Sequence, residues 1–144
     1  MHELIESLED FTWENYKDIS DALVSFTDHA VEDEMFRQAS IYSYYYGLMS
    51  MAKKMANEKS LQLTRFCSQL RKETKQNSSV KLTAKDLDDH MYSDSQYGEK
   101  QAALDEATFK YELLKGLVKS LEQKKDMLQQ VSANKREETK PVSY

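Results

Sequence analysis

The chain has 144 residues, enough for one compact domain or a few long helices and too few for two ordinary domains. It contains only three glycines and one proline, so it lacks the turn residues that β-sandwiches, propellers and Rossmann sheets need. The net charge is −5, and 31% of the residues are charged against 40% hydrophobic, which is typical of a folded chain. These numbers predict an all-α protein built from long helices.

Charge is segregated along the chain. Residues 1–34 carry eleven acidic residues and one basic residue, whereas residues 35–81 carry nine basic and two acidic residues. Two interpretations are open. In one, acidic segments lie against basic segments, and the charges set register and solubility. In the other, the basic block faces a polyanion, and the acidic block is a tether, a docking site for a basic partner or a competitor for the basic surface.

The first 30 residues predict an acidic appendage with little helical order. Leu4, Leu8 and Phe11 are spaced by four and three, which predicts one or two short amphipathic helices ending near residues 26–28. The first residues are acidic and lack an apolar core behind a basic region, so we expect no signal peptide. The most apolar window, residues 41–49, is too short to span a bilayer, so we expect no membrane partner.

A long helix is predicted from residue 31 to about residue 72, because apolar residues recur every three or four positions without a proline. Its predicted apolar stripe consists of Val31, Met35, Ala39, Tyr42, Tyr45, Tyr46, Met49, Ala52 and Ala56, followed by Leu63, Phe66, Cys67 and Leu70. The polar run at residues 73–79 has no such pattern and is predicted to be a loop.

Two further helices follow the predicted loop. Thr83 and Asp86 have the spacing of a capping box, which predicts a short helix from about residue 84 to 92. A last helix is predicted from about residue 95 to 135, because its apolar residues follow a heptad repeat. That seam consists of Leu104, Ala107, Tyr111, Leu114, Val118 and Leu121, and it returns at Leu128 after the polar Lys125.

Together the elements predict a long antiparallel helical hairpin, coiled-coil-like, with a short connecting helix and short N-terminal helices. We divide the chain into an acidic appendage (residues 1–30), the hairpin (residues 31–137) and a flexible tail (residues 138–144). An isolated hairpin would leave most of its apolar seam in water, so we expect a homo-oligomer. The predicted oligomer contacts are Tyr42, Tyr45, Met49, Leu104, Tyr111, Leu114, Val118 and Leu121.

No pattern of catalytic or metal-binding residues is found. No histidine has a glutamate three residues before it, as the helical di-iron proteins require, and the three glycines are too far apart for a phosphate loop. We interpret His29 and His90 as surface residues and Cys67, which lies on the apolar stripe, as a core residue. The sequence therefore predicts a protein that is not an enzyme and needs no cofactor or metal.

An aromatic and basic segment of the long helix is the candidate functional surface. Four tyrosines lie within residues 42–46, and Tyr44 is predicted to point away from the apolar stripe. Packing in the core or in an interface is the favoured explanation of this run, and the alternative is that an exposed ring stacks on the bases of single-stranded nucleic acid. Lys54, Arg65 and Lys72 then share one helix face. The predicted nucleic-acid contacts are Tyr44, Lys53, Lys54, Arg65, Arg71, Lys72 and Lys75.

Several short motifs resemble the UvsY-like family of phage recombination mediators. They are Val31-x-x-Glu34, Ile41-Tyr42-Ser43, Lys53-Lys54, Leu70-Arg71, Lys81-Leu82-Thr83 and Lys124-Lys125-Asp126-Met127-Leu128. The resemblance implies an oligomeric protein that binds single-stranded DNA in the cytoplasm of an infected bacterium. Its partners would be a RecA-like recombinase, which it helps to load, and the single-strand-binding protein that the recombinase replaces. The family's DNA contacts include a Lys-x-Arg pair. Arg71 matches the arginine, whereas Gln69 stands in place of the lysine and Lys72 follows one residue later.

A second function is open for the same sequence. The protein is then a non-enzymatic helical scaffold or adaptor, and its charged blocks only organise self-assembly and protein contacts. Titration with oligo-dT separates the two functions, because a mediator binds it with a steep negative salt dependence and an adaptor shows no saturable binding.

Overall fold

A computed structural model describes residues 7–27 and 30–141 of the chain. Its elements are a 3-10 turn at Leu8–Asp10 and the helices α1 (Trp13–Val24), α2 (Val31–Asn77), α3 (Ala84–Tyr92) and α4 (Ser95–Thr139). Over these two ranges the chain forms no strand. The all-α class is therefore confirmed, as are the short N-terminal helical segments and the break that follows them.

The predicted capping box at the start of α3 is confirmed. Thr83 Oγ1 accepts a hydrogen bond from the backbone N–H of Asp86 at 3.2 Å. In return, Asp86 Oδ2 accepts from the backbone N–H of Thr83 at 3.1 Å and from its hydroxyl at 2.8 Å. The bonds that Thr83 donates, first from its backbone and then from its hydroxyl, lower the pKa of Asp86 because they favour the carboxylate.

Helix α2 extends further than predicted. The loop prediction for residues 73–79 is wrong for residues 73–77, which continue the helix to Asn77. Thr74 Oγ1 donates to the backbone oxygen of Leu70 at 2.8 Å, and Gln69 Nε2 donates to Glu73 Oε1 at 2.9 Å. Glutamate, lysine and glutamine are good helix formers that need no apolar partner, so apolar spacing alone misses this turn. Helix α4 likewise continues past the predicted end, to Thr139.

The packing divides the chain into two compact units. The first unit consists of Met1–Met51 and Glu112–Tyr144, and the second unit is Ala52–Tyr111. Helices α2 and α4 each contribute residues to both units. The predicted domain boundaries after residues 30 and 137 stay predictions, and part of the appendage and of the tail lies outside the described residues.

The first unit holds the large core. Its largest fully buried side chains are Phe11, Tyr45, Leu114, Leu117, Leu121, Lys124 and Leu128. Gln38 Nε2 donates to the backbone oxygen of Leu121 at 3.1 Å, and Glu34 pairs with Lys124 at 2.8 Å. Residue numbers therefore rise along α2 as they fall along α4, so the two helices run antiparallel in this unit.

In the first unit, the side of α2 that is buried differs from the predicted apolar stripe. Met35, Ala39 and Tyr46 are exposed, so they do not pack within the single chain, and their packing between chains stays a prediction. The side chains that α2 buries there are Val31, Gln38, Ile41, Tyr45 and Leu48. The buried seam of α2 contains the polar residue Gln38, and Glu34 lies half-buried beside it. Because these two positions are polar, apolar spacing alone predicts the adjacent positions as the buried ones. On α4, likewise, the polar residue in the seam between Leu121 and Leu128 is Lys124 and not Lys125.

In the first unit, the apolar seam of α4 is already buried by other residues of the same chain. Leu114, Leu117 and Leu121 are fully buried, and α1 takes part in covering this region because Lys124 Nζ bonds to the backbone oxygen of Leu23. The premise that a single chain leaves most of its seam in water is therefore wrong for this unit. It failed because it treated the N-terminal residues as an appendage. Homo-oligomerisation itself stays a prediction.

The second unit has a smaller core. Its buried side chains are Ala52, Ala56, Leu87, Met91 and Ala107. Leu63, Phe66 and Leu70 of α2 are only half-buried. The ammonium of Lys100 lies 5.4 Å from the centroid of the Phe66 ring, a cation–π contact between α4 and α2.

Candidate nucleic-acid interface

The six predicted basic contacts lie on α2 in the second unit, and all six are exposed. They are Lys53, Lys54, Arg65, Arg71, Lys72 and Lys75. At about 100° per residue, Lys54, Arg65 and Lys72 fall on one line along the helix. The opposite side of the helix carries Ala52, which is buried, and Leu70, which is half-buried. We call these three residues the basic strip. It is about 27 Å long at 1.5 Å per residue.

The strip is part of a locally positive segment of a negatively charged chain. Residues 52–77 contain seven basic and two acidic residues, although the chain as a whole has a net charge of −5. None of the three strip residues has an ion-pair partner among the residues that the structure describes. Screening in physiological salt acts beyond about 8 Å, so a nearby anion responds to this local charge rather than to the total.

Arg71 already has a carboxylate partner. Its Nη2 lies 2.8 Å from Oδ1 of Asp88 on α3, and about half of each side chain is exposed. A phosphate group at Arg71 must therefore share the guanidinium with Asp88 or displace it. The arginine that matches the family motif is for this reason less available than the three strip residues.

Tyr44 does not point away from the packed side of α2, and that prediction is wrong. It is half-buried, and its ring meets the ring of Tyr45 edge-on with the centroids 5.3 Å apart. The exposed ring of the tyrosine run is Tyr46, at 48% exposure. Tyr44 belongs to the first unit, whereas the basic strip belongs to the second.

A second tyrosine of the run carries a strong polar contact. The hydroxyl of Tyr42 donates a hydrogen bond to Glu122 Oε1 at 2.8 Å. This bond, followed by partial burial and the negative charge of Glu122, raises the pKa of Tyr42 above its ordinary value. Tyr42 therefore stays a neutral phenol that links α2 to α4 within the first unit.

Two aromatic rings of the second unit are exposed although the sequence patterns do not predict them. Tyr92 is 61% exposed at the end of α3, and Phe109 is 47% exposed on α4. The ring of Tyr92 meets the ring of Tyr97 edge-on at 5.3 Å, and burial raises the pKa of Tyr97. Rings of this kind stack on unpaired bases. A search for exposed aromatics next to predicted helix ends would have found Tyr92, because Ser93 and Asp94 follow it as a stop signal.

The predicted oligomer contacts fall into two groups. Tyr45, Leu114, Val118 and Leu121 are buried within the single chain. Tyr42, Met49, Leu104 and Tyr111 are half-buried. The role of all eight in self-association stays a prediction, since a single chain is described.

The described ranges contain neither a cluster of metal-ligating side chains nor a helix that could cross a membrane. No three histidine, cysteine or acidic side chains among these residues lie close enough together to hold a metal ion. Of the three histidines, His90 lies on α3 and is exposed, whereas His2 and His29 lie outside the described residues. Within the same part of the chain, every helix is too short or too polar to cross a membrane.

Comparison with known proteins identifies no relative. No protein family matches the sequence, and no curated protein or solved structure is significantly similar to it. The resemblance to UvsY-like mediators therefore stays a prediction that rests on the short motifs alone.

Proposed function

We propose that this protein binds single-stranded DNA through the outer face of α2 in the second unit. The observation that carries the proposal is the basic strip, Lys54, Arg65 and Lys72, exposed along about 27 Å of one helix. Each lysine or arginine that meets a phosphate releases bound counterions from the nucleic acid, which favours binding at low salt. Lys53 and Lys75 are exposed on the same helix and widen the positive surface.

The aromatic rings of the second unit favour a single strand over a duplex. In a single strand the bases are unstacked and their faces are accessible, so Tyr92 and Phe109 offer stacking surfaces in the same unit as the strip. Stacking of this kind contributes about 1–3 kcal/mol per base and does not depend on base identity. We therefore propose binding without sequence preference.

The biological role that we propose is that of a recombination mediator. The protein forms a homo-oligomer and helps a RecA-like recombinase to load onto DNA covered by single-strand-binding protein. The short motifs within residues 31–137 support this role, and so does the proposed surface for single-stranded DNA. An oligomer that presents several basic strips would hold one strand at several points, so its avidity would exceed the affinity of one chain.

Fluorescence anisotropy with labelled oligo-dT at several salt concentrations tests the DNA-binding step. We expect saturable binding with a steep negative salt slope. Replacing Arg65 or Lys72 by alanine should make the slope of log K against log salt concentration shallower by about 0.7 for each lost phosphate contact. Lys119→Ala is the matched control, because Lys119 is an exposed lysine of α4 in the first unit.

Absence of saturable binding by the wild-type chain would contradict the proposal, and so would equal losses in the control and strip variants. If the chain self-associates but does not bind DNA, the alternative function as a helical scaffold or adaptor is favoured. A strand-exchange assay with recombinase and single-strand-binding protein then tests the mediator role separately from DNA binding.

A further inference from the structure

The basic strip of α2 has a gap between its first two members. Lys54 and Arg65 are 11 positions apart, a rise of about 16.5 Å along the helix. At about 100° per residue, the positions between them that lie within about 40° of Lys54 around the helix are 58 and 61. Glu58 and Leu61 occupy these positions, and both are exposed, Leu61 at 50%. A strand that contacts both Lys54 and Arg65 therefore passes over these two side chains.

Neither side chain in the gap favours a phosphate group. Glu58 is negatively charged and has no ion-pair partner within residues 7–27 and 30–141, so it repels a nearby phosphate. Leu61 has no polar atom in its side chain, so a phosphate that rests on it loses water without gaining a hydrogen bond. The strand must instead present a neutral, apolar group between its two held phosphates. The face of an unpaired base is such a group.

We propose that Leu61 is the residue of this surface that distinguishes single-stranded from duplex DNA. An unpaired base rests on its side chain, while Lys54 and Arg65 hold phosphates on either side. In a duplex the base faces are covered by neighbouring bases, so the backbone alone would lie over Glu58 and Leu61. This inference rests on the proposed function and adds a specificity-determining residue to it.

Anisotropy titrations with labelled oligo-dT and with a duplex of the same length test the role of Leu61. Leu61→Ala should weaken oligo-dT binding by about threefold to tenfold, because an apolar contact is lost. The salt slope should not change, since no phosphate contact is removed. Duplex binding should change by less than about twofold.

Met55→Ala is the matched control. Met55 is 42% exposed on α2 in the same unit, about 120° around the helix from Leu61. We expect this variant to change the affinity for either DNA by less than about twofold. Circular dichroism checks that both variants keep their helices.

A tryptophan at the same position reports contact with a base directly. The fluorescence of Leu61→Trp should be quenched when oligo-dT saturates the protein, because the indole then stacks on a base. Met55→Trp should keep its fluorescence. The wild-type chain, whose single tryptophan is Trp13, supplies the background signal.

Three results would overturn the role of Leu61 while the proposed function stands: equal effects of Leu61→Ala and Met55→Ala on oligo-dT binding, equal losses by Leu61→Ala for oligo-dT and duplex, or no quenching in Leu61→Trp. Absence of saturable oligo-dT binding by the wild-type chain would contradict the proposed function and this inference together. The wild-type titration therefore separates the two failures.

Discussion

Lys124 occupies a position that usually belongs to an apolar residue. Its side chain is almost fully buried, at 2% exposure, and its ammonium bonds to the backbone oxygen of Leu23 and to Glu34 Oε2. Burying an unpaired charge costs several kcal/mol, so the two partners make the position tolerable. One side chain thereby joins the end of α1 and the first turn of α2 to α4.

Removing the Lys124 side chain should destabilise the protein strongly. Lys124→Ala leaves the carboxylate of Glu34, which is 13% exposed, with only the longer contact to the exposed Arg37, 3.7 Å away. We expect a loss of about 3–5 kcal/mol in the free energy of unfolding, measured by urea denaturation. The exposed neighbour provides the control, because Lys125→Ala should cost less than about 0.5 kcal/mol. The double variant Lys124→Met with Glu34→Leu should recover part of the loss, since both charges are then removed. Equal costs at 124 and 125 would show that the pair has no structural role.

Asp88 should limit DNA binding by occupying Arg71. An exposed ion pair of this kind contributes about 0.2–1 kcal/mol. Asp88→Asn releases the guanidinium and should therefore tighten oligo-dT binding at low salt by up to about fivefold. Asp89→Asn removes the same charge from the exposed neighbouring position, and we expect it to have a smaller effect. Anisotropy titrations measure both variants. Equal gains would mean that only the general charge of α3 matters and that the Arg71–Asp88 contact does not.

Helix α3 depends on its cap. It has only nine residues, and an isolated helix of that length is unstable in water. Two of its residues, Leu87 and Met91, are buried, so the burial of these two side chains and the capping box are its main sources of stability. The backbone N–H groups of the first turn have no partner within the helix, and Thr83 satisfies that of Asp86.

Replacing the capping residue tests this dependence. Thr83→Ala should lower the local stability of α3 by about 1 kcal/mol, measured as a loss of hydrogen-exchange protection over residues 84–92. Thr108→Ala changes an exposed threonine in the middle of α4 and should leave protection unchanged or slightly higher, because alanine is the better helix former. Similar protection of α3 in both variants would contradict the role of the cap.

Acid should weaken the same cap. The pKa of Asp86 is lower in the folded chain than its ordinary value of 3.8, so the folded state binds the proton less tightly than the unfolded state. The contribution of Asp86 to stability is therefore complete above its ordinary pKa and is lost as the pH falls through the lowered value. Protection factors of α3 should decrease in that range for the wild type and much less for Asp86→Asn. A decrease of equal size in both would assign the acid sensitivity to other groups.

For the molecule as a whole, the two units differ in how much they bury. All seven of the largest fully buried side chains belong to the first unit. The buried residues of the second unit include three alanines, and its larger α2 side chains are half-buried. Because apolar burial is the main source of stability, the two units should differ in local stability.

Hydrogen exchange monitored by mass spectrometry measures this difference along the chain. We expect slower exchange at residues 38–50 and 113–128 than at residues 59–75 and 95–105, although α2 and α4 are helical throughout these ranges. The physical reason is that helices open more easily where fewer large side chains are buried. Uniform protection along both helices would show that they open as one cooperative unit.

Much of the local structure could be predicted from the residues themselves. The scarcity of glycine and proline predicts long helices, and the capping box at Thr83 and Asp86 depends only on residues three positions apart. The basic strip follows from helical spacing alone, because Lys54, Arg65 and Lys72 are exposed and need no partner. The failures are positions whose environment depends on distant residues. Tyr44 is half-buried, and Arg71 is paired with a carboxylate 17 residues away.

The helical class, the order of the helices and the line of positive charge therefore follow from the residues alone, since each depends on neighbours within a few residues. Which face of α2 is buried depends instead on contacts between distant parts of the chain. Gln38 and Lys124 lie in the core because their partners are backbone oxygens 83 and 101 residues away, at Leu121 and Leu23. A polar side chain is buried where the fold supplies its hydrogen bonds, and no local spacing contains that information.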